Sequence, residues 1–106
     1  MVDKEEVFKY CYINKDPDFI KDKVIEEMSE LTKEIIKSRQ NSQKLIFLSN
    51  IAKEFADTRL MMRQLEYCYN RATGNKFSDM VNIYEQYKCD KIWAIWHNNP
   101  LPKEPE

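Results

Sequence analysis

A single glycine, Gly74, interrupts the 106 residues, and three of the four prolines (Pro100, Pro102, Pro105) fall within the last seven. Strands need turn residues between them, so a body with so few reads as all-α. Also missing is any apolar run near the roughly 18 residues of a membrane span. The start, Met1-Val2-Asp3-Lys4-Glu5-Glu6, lacks the basic-then-apolar order of a signal peptide. A cytoplasmic protein that does not engage membranes is expected. Neither charge dominates, with 17 Lys plus Arg against 18 Asp plus Glu. That balance argues against a nucleic-acid polymer as partner but leaves a small anionic ligand open. Cys11, Cys68 and Cys89 are odd in number and contain no C-x-x-C pair, so neither a disulfide framework nor a zinc knuckle is indicated and the three read as small buried hydrophobes.

What is present is helical periodicity. A first helix is expected from about Asp3, an N-cap with Glu6 three residues on, to about Ile13. A second opens with Asp16 as cap and Pro17 in its first turn, carries Ile20, Val24, Met28, Leu31 and Ile35, and fades between Ser38 and Ser42. The third bears Leu48, Ile51, Phe55, Met62, Leu65 and Tyr69, and stops at Thr73-Gly74-Asn75. Its start is open between a cap at Ser42 and a later one at Ser49 or Asn50. The fourth runs from about Asn75 to His97, with Phe77, Val81, Tyr84 and Ile95 on its apolar face. One domain over 1–97 with a flexible tail over 98–106 follows, the tail being a disordered or partner-binding arm.

Two acidic strings break the apolar pattern. Glu26-Glu27-x-x-Glu30 lies in the second helix and Glu54-x-x-Asp57 in the third. Residues three apart share a helix face, so Glu27 pairs with Glu30 and Glu54 with Asp57. Glu27 falls inside the stripe of Ile20, Val24 and Leu31, with Glu30 and Glu34 on its flank, and Glu54 falls among Ile51, Thr58, Met61 and Leu65. If these helices form an antiparallel hairpin turning near Gln40-Asn41-Ser42, both pairs stand level, because 42 is the midpoint of 30 and 54 and also of 27 and 57. Like charges about 5 to 6 Å apart at an effective dielectric near 20 repel by roughly 3 kcal/mol. Such a group must take up a cation or protons. Oxygen ligands without histidine or cysteine select a hard cation, Mg²⁺ first and Mn²⁺ second. A di-iron centre would need paired Glu-x-x-His motifs, and the only histidine, His97, sits near the far end.

Glu26-Glu27-Met28-Ser29-Glu30-Leu31, followed by Glu54-Phe55-Ala56-Asp57 with Met61-Met62-Arg63-Gln64-Leu65 behind it and Tyr87-Lys88-x-x-Lys91 further on, resembles the all-α NTP pyrophosphohydrolases. This group includes the MazG-like proteins and the dimeric dUTPases, and the context of the motifs looks like that of the small single-domain MazG-like proteins, many of them phage-related. It spans about residues 20 to 92. The resemblance implies a four-helix, bundle-like MazG-type domain around the hairpin of helices two and three, completed by assembly into a homodimer or homotetramer. It also implies an enzyme, a Mg²⁺-dependent nucleoside triphosphate pyrophosphohydrolase releasing a monophosphate and pyrophosphate. Glu27, Glu30, Glu54 and Asp57 become the metal ligands, with Glu26 and Glu30 as the catalytic carboxylates.

Lysines supply the remaining expectation. Lys88 and Lys91 project on the apolar side of the fourth helix, and Lys23 lies one turn before Glu26 and Glu27, so all three are candidates for substrate phosphates or for ion pairs with the acids. Arg59 and Arg63 read as solvated, and Trp93, Trp96, Phe8, Tyr10 and Tyr12 as packing residues more readily than as a stacking platform for a base. The alternative to an enzyme is a non-catalytic helical module that binds nucleotides or a protein partner.

Overall fold

The computed structural model describes the backbone of residues 1–40 and 45–106 and the side chains of 1–40 and 47–106. The described residues form four helices and no strand: α1 (Lys4–Asn14), α2 (Pro17–Gln40), α3 (Leu45–Thr73) and α4 (Lys76–Trp96). None of them is long and apolar enough to cross a membrane. Two compact units are formed, Met1–Cys68 and Tyr69–Glu106, the division falling inside α3.

Local chemistry sets most helix ends. Asp3 caps α1, its carboxylate accepting from the Glu5 amide at 3.1 Å, while Glu5 and Glu6 place negative charge in the first turn. Asp16 accepts from the Asp18 amide at 2.7 Å, and Pro17 is the first residue of α2, where its missing N–H costs nothing. α3 begins at Leu45, ahead of Ser49 and Asn50; the expected cap at Ser42 and the turn at Asn41 and Ser42 lie outside the described residues. The stop after Thr73 is built from two left-handed residues, Gly74 at φ 61° and Asn75 at φ 71°. Glycine adopts that region without a Cβ penalty, which accounts for the one glycine of the chain standing there.

α4 is started by side chains of the preceding helix. Thr73 Oγ1 accepts from the Phe77 amide at 3.2 Å, and Asn70 Oδ1 accepts from the Ser78 amide at 2.9 Å, so two N-terminal amides that no intrahelical carbonyl reaches are satisfied from α3. Tyr69 and Phe77 lie 4.9 Å apart, centroid to centroid, across the same turn. At the other end of α4, His97 is the C-cap and stacks on Trp93 at 3.9 Å, and residues 99–106 are without helix or strand.

The first unit is organised around α3. Among its described residues, Phe8, Ile20 and Val24 are the buried apolar ones. Gln64, also buried, donates from Nε2 to the Phe8 carbonyl at 3.0 Å, and Tyr67 meets Phe8 and Tyr12 at 6.1 and 6.0 Å, which fixes α1 against α3. α2 and α3 are joined by Thr58, whose hydroxyl lies 2.9 Å from the Glu27 carbonyl and 2.9 Å from the Glu54 carbonyl. This contact determines the relative direction of the two helices. Glu27 lies thirteen residues before the end of α2 at Gln40, and Thr58 thirteen after the start of α3 at Leu45, a rise of about 20 Å in each case. In a parallel pair the helix ends to be joined would stand about 40 Å apart, whereas the chain from Gln40 to Leu45 reaches no more than about 18 Å. The pair is therefore antiparallel.

The apolar stripes expected from periodicity are only partly covered. Ile51, Leu65 and Tyr69 on α3 are half-buried, but Leu48, Phe55 and Met62, spaced seven apart, are 65%, 53% and 53% exposed. On α2, Ile25, Met28, Ile35 and Ile36 are exposed as well. Val81, Tyr84 and Ile95 of α4 are exposed, and Ala94 is the buried residue of that helix. The physical reason is that a helix presents about 100° of apolar stripe to one neighbour, and these stripes are wider than that.

Candidate metal centre

Antiparallel pairing sets Glu27 of α2 against Glu54 and Asp57 of α3. Carboxylate oxygens of the three lie within 4.8 Å of one another, and all three residues are half-buried. Thr58, buried beside Asp57, holds the register: its hydroxyl contacts the backbone of Glu27 and of Glu54, so the bond that ties the helices together is made by the same residues that carry the acids. Thr58→Val preserves shape and removes that bond. The expected result is a loss of about 0.5 to 1.5 kcal/mol, read from urea unfolding, because a part-buried hydroxyl bond contributes about that much.

No cation among the described residues is paired with these three carboxylates. Burial pushes the Glu27 carboxyl up from its ordinary value, and the charges of Asp57, then Glu54, then Glu26 push it the same way, with Lys23 opposing. A folded-state pKa above that of the unfolded chain means the folded form holds the proton longer. Stability from this group is fully present below the ordinary value of 4.5 and is lost as pH rises through the raised one. In metal-free protein, Glu27→Gln should therefore melt above wild type by a margin that grows with pH above that value and then levels. Melting curves from pH 4 to 8 check this, and a margin that is flat or shrinks with pH contradicts it.

The donor set suits a hard divalent cation: three carboxylates, no thiol, no imidazole, and a desolvated member whose proton a metal would displace. The other acids are engaged elsewhere. Glu30, the fourth carboxylate of the expected square, accepts from Lys33 Nζ at 3.4 Å along its own helix and is not one of the three that converge. Glu26 pairs with Lys23 at 3.3 Å, and Glu34 with Lys37 at 3.3 Å. Lys23 is thus committed to Glu26, and its Nζ also lies 5.8 Å from the Phe19 ring. Lys88 is exposed and Lys91 half-buried; both stand on α4, in the second unit.

Asp57 has a second set of neighbours. With Lys4, Ala56, Arg59, Leu60 and Arg63 it lines a groove of about 220 Å³ in the first unit. For Arg59 and Arg63 the four-residue spacing was visible in the sequence, but it says only that the two share a face. Lys4 carries no sequence signal at all, since what brings it to α3 is the packing of α1 through Phe8 and Gln64. Compared with known proteins, the chain matches no family model, no curated protein and no solved structure.

Proposed function

We propose that this protein is a Mg²⁺-dependent nucleoside triphosphate pyrophosphohydrolase of the all-α, MazG-like kind. The observation that carries the reading is the convergence of Glu27, Glu54 and Asp57 on two antiparallel helices, in the order of the EExxE and ExxD strings. Three clustered carboxylates repel a triphosphate and one another. Glu27, Glu54 and Asp57 would hold the cation, Mg²⁺ or alternatively Mn²⁺. When bound, the ion polarises phosphate oxygens and makes a water molecule more acidic.

The chain's own groups supply the rest. Glu30, one turn from Glu27, and Glu26 beside it are the carboxylates available to accept the proton of the attacking water. Their partners Lys33 and Lys23 are surface residues, and exposed pairs of this kind are weak enough to open. Water adds to the α-phosphorus, the bond to the bridging oxygen breaks, and pyrophosphate departs with the electron pair, leaving a nucleoside monophosphate. The reading puts the protein in the cytoplasm, where nucleotides and Mg²⁺ meet.

A homodimer or homotetramer completes the picture: Leu48, Phe55 and Met62 on α3 and Ile25, Met28, Ile35 and Ile36 on α2 are exposed apolar side chains that a second copy of the chain would cover. Sedimentation should show a dimer or larger at micromolar concentration; a stable monomer contradicts that part. The enzymatic reading is tested with a panel of ribo- and deoxynucleoside triphosphates plus Mg²⁺. Monophosphate and pyrophosphate are the expected products. Binding without turnover would favour a nucleotide-binding module, and neither would favour a protein-interaction module. Against the last stands the acid trio, none of whose carboxylates is in an ion pair among the described residues.

A further inference from the structure

The groove beside the acid trio is opposite in sign to it. Ala56 and Leu60, and Arg59 and Arg63, are four apart on α3, with Arg59 three from Ala56 and Arg63 three from Leu60, so the four share one helix face with Asp57 at its edge. Lys4, the first residue of α1, stands on the other wall. Three cations thus line the space against one carboxylate, and none of the three is in an ion pair with a described residue. Arg59 and Arg63, four apart, repel each other as the carboxylates of the trio do. The groove holds more positive than negative charge, and Asp57 belongs both to it and to the trio.

We propose that this groove is an anion subsite for phosphate-type oxyanions, placed to take the phosphate chain of a substrate whose cation is held by Glu27, Glu54 and Asp57. The coupling to the cation rests on the metal reading given above; the anion subsite itself does not. Size favours a phosphate group over a whole nucleotide, because about 220 Å³ is below the roughly 300 to 1,000 Å³ of pockets that enclose larger ligands. Chemistry favours it too. Guanidinium groups donate in a planar fork that matches two oxygens of a tetrahedral oxyanion, and Lys4 adds a point charge from a separate helix. Asp57 on the rim disfavours a bare anion and favours one that arrives with a divalent cation. The subsite therefore draws on Lys4, Arg59 and Arg63, all within the first unit.

Calorimetric titration of the full chain with inorganic pyrophosphate, and separately with a nucleoside α,β-imidotriphosphate, each with and without Mg²⁺, tests the proposal. Wild type should bind pyrophosphate more tightly with Mg²⁺ than without. The exposed pair Arg59→Gln and Arg63→Gln should weaken it at least ten-fold while the Mg²⁺-induced rise in melting temperature persists; Arg59→Lys and Arg63→Lys should fall between the two. An equal loss for the nucleotide analogue assigns the subsite to nucleotide-borne phosphates, and a loss confined to pyrophosphate assigns it to the free anion. If Mg²⁺ fails to raise the melting temperature but arginine-dependent binding remains, the metal reading falls and the subsite stands. Unchanged affinity for both probes in the glutamine pair, or no binding to folded wild type, overturns the subsite.

Discussion

Under the proposed function, Glu54→Gln is expected to lower nucleoside triphosphate hydrolysis by about a thousandfold or more and, at the same time, to raise the melting temperature of the metal-free protein. Both effects come from one cause. Each carboxylate removed takes away a ligand on which charge stabilisation of several kcal/mol depends, and about 4 kcal/mol corresponds to a thousandfold in rate. Without metal the same carboxylate faces two others with atoms within 4.8 Å. At that separation the repulsion per pair lies between roughly 1 kcal/mol in water and roughly 3 kcal/mol at an effective dielectric near 20. Half-burial puts the trio between those limits, so relief on the order of 1 kcal/mol is expected. A substitution that damages the fold lowers both quantities, whereas a substitution in a metal centre moves them in opposite directions. Rate assays at saturating Mg²⁺, paired with melting curves in a chelator, separate the two.

The second large effect belongs to the core. Ile20→Ala should destabilise the protein by about 2 to 5 kcal/mol, the range for deleting buried methylene and methyl groups when the site cannot collapse. Ile20 is 2% exposed and is the largest fully buried side chain among the described residues. With total stability typically about 5 to 15 kcal/mol, and about 4 to 8 °C per kcal/mol in a domain of this size, the melting temperature should drop by about 10 °C or more. Ile25→Ala, on the same helix but 63% exposed, provides the contrast. In a monomer its effect stays within about 0.5 kcal/mol. In a homo-oligomer that covers Ile25 it is larger and depends on protein concentration, and chemical denaturation at two concentrations reads this directly.

Helix identity was legible in the sequence because the signals are local. Asp3, Asp16 with Pro17, and Gly74 act within one turn of where they stand, and α1, α2 and α4 lie within a residue or two of their expected bounds. The start of α3 was harder, since Ser49 and Asn50 are good caps in isolation but sit inside the helix. Level placement of the acids was legible for a topological reason: a connection too short to return fixes the register by counting from the turn. Thr58 on Glu27 is within one residue of that count.

Illegible were the features that depend on a choice between neighbours. Glu30 has two options, the centre across the hairpin or Lys33 three residues on, and sequence spacing does not rank them. Leu48, Phe55 and Met62 match a core stripe as well as Ile51 and Leu65 do; which of them is covered depends on the crossing of α2 and α3. Lys4 stands fifty-five residues from Arg59 in the chain and meets it across a groove only because Gln64 and Tyr67 dock α1. Pairings of this kind are properties of packing, and periodicity carries no information about them.

The central claim is that Glu27, Glu54 and Asp57 form a divalent-cation centre. Calorimetric titration of Mg²⁺ into the wild-type protein at low ionic strength tests it most directly, with Glu54→Gln as the comparison. Saturable binding is expected, accompanied at mildly acidic pH by proton release as Glu27 gives up its raised affinity for a proton, and lost or strongly weakened in Glu54→Gln. Absence of saturable binding at millimolar Mg²⁺, or equal binding by the variant, would contradict the account.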